Sequence, residues 1–145
     1  MARNPVRTNA KVIGAKYSMY AKGVSRNAEV AVARVGKEFL REVTEKTPRL
    51  TGAAQSSWEA TRNTGPRYTT EATADKSSAG STYSRGAQAI GATAKRVDIT
   101  NGVGYIGRLN GGSSTKAPAG FVESALQKAL GIISGLGLLK NLKIR

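Results

Sequence analysis

The feature that most constrains this chain is a run of apolar residues at three- and four-residue steps, closed by a proline. Val24, Ala28, Val32, Val35, Phe39 and Val43 fall on one face of a helix over residues 25–47. Glu29, Lys37, Glu38, Arg41, Glu42, Glu45 and Lys46 mostly occupy the other face. Ser25 or Asn27 can cap the start, because a short polar side chain accepts a bond from an otherwise orphaned backbone N–H. Pro48 forces the stop near Thr47, since proline disfavours helical geometry in the residue before it. A stripe this long has to be covered, and the pattern predicts a helix lying on a sheet.

The sheet must come from short pieces. Pro48 and Gly52 punctuate a turn, a short helical segment follows, and Trp58-Glu-Ala-Thr-Arg begins a strand with Trp58 and Ala60 inward and Glu59 outward. Trp58 is the one tryptophan, and so large a ring reads as a core anchor before it reads as a base-stacking platform. Residues 63–94 are rich in Thr, Ser, Ala and Gly, with Tyr68, Tyr83 and Ile90 as the large apolar side chains. A strand is expected over 68–73. From 75 to 94 the pattern assigns nothing, and the stretch reads either as disorder or as a loop that orders against another subunit. Arg96-Val-Asp-Ile-Thr alternates as a strand does, and Asn101-Gly102 is a turn signal. Pro118 is expected in the first turn of a last helix, whose stripe is Phe121, Val122, Ala125, Leu126, Ala129, Leu130 and Ile133.

These elements make an α+β fold: a long N-terminal amphipathic helix packed on a small antiparallel sheet, with a C-terminal helix and long loops. With 145 residues, 39% hydrophobic and 6% aromatic, one modest core of Val, Ile, Leu and Ala is expected over residues 24–139. It is flanked by a basic arm at 1–23 and a basic tail at 140–145.

Chemistry is largely excluded. The chain has no cysteine and no histidine, which removes disulfides, thiolate–zinc sites and every His-based metal or nucleophile–base arrangement. Its nine acids are scattered, with no pair spaced for acid–base work or for Mg²⁺. No enzyme activity, cofactor or metal is expected. The basic N-terminus precedes no apolar segment of the secretory kind. Residues 130–139 are interrupted by three glycines and reach about half the length of a membrane span, so no membrane partner is expected.

Charge points to polyanions. Twenty-three Lys and Arg against nine acids give a net charge of +14 and a pI near 10.6. The arm carries Arg3, Arg7, Lys11, Lys16 and Lys22 with no acid, and the tail carries Lys140, Lys143 and Arg145. These eight are the candidate contacts to DNA or to an acidic partner. Tyr17, Met19 and Tyr20 can dock the arm on the domain or on a neighbour.

The order of the motifs carries a resemblance. A long helix leads into Thr-Pro-x-Leu-Thr-Gly, containing Pro48, Thr51 and Gly52, and then Ser-Ser-Trp ending at Trp58. A strand closing on Asn101 is followed by Gly-Tyr-Ile-Gly-Arg-Leu around Tyr105, then Asn110-Gly-Gly. Lys-Ala-Pro-Ala-Gly-Phe-Val, with Pro118, Gly120 and Phe121, heads the last helix. Over roughly residues 25–130 this resembles the tailed-phage neck and tail-completion family that includes the HK97 gp10-like proteins and the lambda minor tail protein Z. Asn110 stands where that family often has an acid, and Ile106 replaces a small residue.

The resemblance implies a structural virion protein of the neck. It would form a hexameric ring with itself between the head connector, on the portal side, and the tail terminator or tail tube, and DNA would pass through without sequence-specific contact. Candidate subunit contacts on the loops at 63–94 and 107–117 are Tyr68, Tyr83, Arg85, Arg108, Asn110 and Lys116. The competing reading is a free, sequence-independent nucleic-acid-binding protein, which charge supports although no zinc finger, RNP-like strand or helix-turn-helix is visible.

Overall fold

The computed structural model describes residues 19–20 and 26–134, which pack around one core. In chain order they form β1 (Met19–Tyr20), α1 (Arg26–Lys46), α2 (Ala53–Ser56), β2 (Trp58–Arg62), a 3₁₀ turn (Glu71–Thr73), α3 (Ala79–Ile90), β3 (Arg96–Asn101), α4 (Ile106–Asn110) and α5 (Phe121–Ser134). The α+β architecture is the one expected.

Helix α1 is covered more widely than its stripe requires. Ala28, Val32, Val35, Phe39 and Val43 are buried, but so are Ala31, Ala33, Gly36 and Leu40. The extra burial arises because α1 is the hub: it packs against α5, α3 and β3 as well as the small sheet. Full burial of each large side chain, such as Phe39 or Leu40, contributes about 1.5–3 kcal/mol. Across α1 and α5, Lys128 Nζ donates to Glu42 Oε1 at 2.8 Å, and that carboxylate is itself buried.

The sheet is antiparallel, in the order β1-β3-β2. Its register sets Trp58 opposite Asn101, Ala60 opposite Ile99 and Arg62 opposite Val97, which puts the buried apolar side chains on one face. Met19 and Tyr20 pair with Val97 and Arg96. The other face carries Glu59, Thr61, Asp98 and Thr100, and it is closed by chain and not by apolar packing. Thr61 Oγ1 donates to the Gly65 carbonyl at 2.6 Å, Thr69 Oγ1 donates to Glu59, and Thr100 Oγ1 donates to the Arg67 carbonyl. Beneath this covering Asp98 is paired with Arg96 Nε at 2.7 Å.

Three expectations are corrected. Residues 75–94 are not a long loop, since 79–90 form α3. Ser78 Oγ caps it by accepting from the Ser81 N–H at 3.2 Å, and Gly91, at φ 71, ends it. Its buried line is Thr82, Gly86 and Ile90, a four-residue step of mostly small residues that hydrophobicity does not flag. Residues 68–73 are not a strand, because Thr70 caps the 3₁₀ turn Glu71–Thr73 instead, its side chain and that of Thr73 forming a reciprocal box. Pro118 lies ahead of α5, which begins at Phe121 after Gly120 at φ 77. The arm and tail residues Arg3, Arg7, Lys11, Lys16, Lys22, Lys140, Lys143 and Arg145 lie outside the described residues.

Candidate functional site

The residues of the resemblance that are far apart in sequence meet at one end of the fold, and each motif has a local reason for its shape. Thr47 ends α1 twice over: its N–H and its hydroxyl both donate to the Val43 carbonyl, at 3.1 and 2.6 Å. The same hydroxyl accepts from Trp58 Nε1 at 2.7 Å. After Pro48 the chain swings outward through Arg49, Leu50 and Thr51 and returns at Gly52. The φ of 89 at Gly52 is one that other residues adopt only with strain. Helix α2 is then latched inward. Asn101 Nδ2 donates to the Ala54 carbonyl at 2.7 Å, while Asn101 Oδ1 accepts from the Val103 N–H at 3.0 Å. The second bond makes the Asn101-Gly102 signal an Asx turn leading from β3 towards α4.

Between these elements lies a cleft of about 570 Å³. It is lined by residues 48–52 after α1, by Tyr105 and Leu109 at α4, and by residues 113–116. Leu50, one of the lining residues, has 90% of its surface exposed and is the one large apolar side chain so exposed among the described residues. Arg49 is held by Gln55 Oε1 at 3.1 Å and by the Ser77 carbonyl at 3.4 Å, so the loop is braced from behind. Burial, and then the Glu71 carboxylate, push the Tyr105 phenol above its ordinary value, with a Thr51 hydrogen bond acting the other way.

The candidate subunit-contact residues divide. Lys116 and Arg108 are exposed, Lys116 lining the cleft and Arg108 on α4. Asn110 looks inward: its Oδ1 accepts from the Val122 N–H at 2.9 Å and its Nδ2 donates to Glu123 Oε2 at 2.8 Å. It caps α5 and bonds a first-turn acid at once, which a carboxylate could not do. Arg85 and Tyr83 are on α3, not on a loop. Arg85 donates to the carbonyls of Ser56 and Trp58, at 2.9 and 3.4 Å, and Tyr83 packs on the core. Tyr68 is half-buried beside the polar sheet face, where burial first and Asp98 second raise its phenol pKa.

Charge is unevenly distributed. All nine acids and fifteen of the cations fall within residues 26–134, so the remaining eight cations lie in terminal segments without a single acid. Among the described residues, no group of three or more carboxylates, histidines or cysteines is placed to hold a metal, and no helix is long and apolar enough to cross a membrane. No protein-family model, curated protein or solved structure matches this chain.

Proposed function

We propose that this chain is a structural virion protein of a tailed-phage neck, a head-to-tail joining or tail-completion subunit. It assembles with copies of itself into a ring between the head connector and the tail terminator or tail tube. The observation that carries the reading is the convergence of the motif loops. Residues 48–52, Tyr105, Leu109 and 113–116 are separated by more than fifty positions in sequence, yet they line one cleft, with an exposed leucine among them. The turns that carry the resemblance thereby build one surface. An exposed apolar side chain beside a concavity suits a heterologous contact, in which one subunit's projection fills the next subunit's recess and rotation closes the ring.

The test is the copy number of the chain in purified, nuclease-treated virions, counted against the portal and the major tail protein. A low, fixed number comparable to the portal's supports the neck reading. The acid-free, cationic terminal segments favour a second reading, a free nucleic-acid-binding protein acting without sequence preference. Absence from particles, with recovery on nucleic acid and release by salt, would establish that reading instead.

A further inference from the structure

The end of the sheet where β2 finishes and β3 begins is a cationic surface. Asn63, at φ 62, turns the chain out of β2. Its Oδ1 accepts from the N–H groups of Lys95 and Arg96, at 2.9 and 3.0 Å, and its own N–H donates to the Arg96 carbonyl at 2.9 Å. Arg62 Nη1 donates to the Thr93 carbonyl at 3.3 Å. Arg67 stands further along the segment leaving this turn, over the polar face: its carbonyl accepts from Thr100 Oγ1, and its side chain, 75% exposed, has a long contact of 4.0 Å to Glu59. Arg62 and Lys95 are exposed too. There is no acid between residues 60 and 70 or between 76 and 97. Asp98 is buried and paired with Arg96, and Glu59 is turned to Thr69.

Two observations choose the partner. A protein interface needs a desolvated apolar or aromatic centre. Here the exposed neighbours are Asn63, Thr64 and Pro66, while the exposed leucine belongs to the cleft. Arginine's planar fork, by contrast, matches phosphate oxygens. In addition, the flanking segments offer no competing acid, none lying between residues 60 and 70 or between 76 and 97. We infer that this turn and the segment leaving it form a phosphate-backbone surface, on which Arg62, Lys95 and, further along, Arg67 contact nucleic acid without reading its sequence. The inference is independent of the neck reading, since a ring channel and a free binder could both use it.

The test measures binding of the full chain to two duplexes of unrelated sequence as salt is raised. The native chain is compared with R62A/R67A/K95A and with a charge-matched control, R34A/K37A/K46A, on helix α1. The slope of log affinity against log salt should fall by about 0.9 for each phosphate no longer neutralised, about 2.7 for the patch variant, equally on both duplexes. The control should keep its slope. Should removal of the Arg62 bond disturb the fold, R67A/K95A replaces the triple variant, and its slope should fall by about 1.8. Equal decreases in patch and control variants would reduce the effect to net charge and overturn the assignment, as would no decrease in either. Unchanged DNA binding together with failure to attach to an acidic protein would overturn it in favour of a protein surface. A virion count that contradicted the neck reading would leave these slopes untouched.

Discussion

The Trp58 indole N–H donates to the Thr47 hydroxyl at 2.7 Å, and that hydroxyl donates in turn to the Val43 carbonyl. Two residues eleven apart thus couple the last turn of α1 to the first residue of β2, with both side chains buried. Replacing Thr47 with alanine leaves a buried indole donor unpaired, which costs about 1–3 kcal/mol. Urea unfolding followed by tryptophan fluorescence should show T47A destabilised by that amount and T47S by less. A T47A stability equal to the native one would mean the bond contributes nothing.

Glycine-to-alanine changes should have opposite signs in two helices. A Cβ at Gly86 would collide with Leu40 Cδ2. G86A is therefore destabilising by about 1–3 kcal/mol, against the usual helical preference for alanine. At Gly131 nothing among the described residues lies within 4 Å of such an atom, and G131A should stabilise by about 0.5–1 kcal/mol. Thermal unfolding of both variants checks the pair.

Asn110 caps α5 while donating to Glu123. N110A should cost about 0.5–2 kcal/mol, as the removal of a helix cap does. N110D keeps an acceptor but sets two carboxylates together, so it should be destabilised at neutral pH and largely restored by adding E123Q. A double-mutant cycle reads this coupling directly.

The Glu42 carboxyl is held below its ordinary value, first by the Lys128 hydrogen bond and then by nearby cations, against the effect of burial. A lowered folded-state pKa contributes stability above the unfolded value of 4.5, and that stability is lost as pH falls through the folded one. The denaturant midpoint should therefore drop as pH falls below about 4.5, and E42Q should flatten that part of the curve. An unaltered slope in E42Q would remove Glu42 from the acid transition.

Leu50 is 90% exposed, so L50D should leave thermal stability within about 0.5 kcal/mol of native. On the ring reading it should nonetheless abolish incorporation into particles. Normal incorporation of the variant, scored by copy number, would detach the cleft from assembly.

What the sequence made legible was whatever it wrote in large apolar side chains. Helix α1 and the Phe121, Ala125, Ala129 and Ile133 line of α5 were evident for that reason, as was the inward Trp58. Helix α3 was hidden because its inner line is Thr82, Gly86 and Ile90, where close approach of backbones replaces bulk. The inward roles of Arg85 and Asn110 depend on carbonyls and N–H groups brought near by the fold, and no spacing along the chain encodes them. The cleft followed the motifs, but Arg62 and Lys95, about thirty positions apart, are brought together through the amide of Asn63. That joining is a tertiary fact.

The segment of residues 63–70 closes the polar face of the sheet by hydrogen bonds, to Glu59, from Thr61 and from Thr100. Hydrogen bonds are directional and apolar contacts are not. A strand pair one residue out of step would turn those side chains to the opposite face, and the covering segment would find no partners there. The segment therefore works as a gauge of strand alignment: it seats on one arrangement of β2 and β3 and rejects the neighbouring ones. A sheet of so few strands, joined across a long excursion through α3, acquires in this way a check on its own folding.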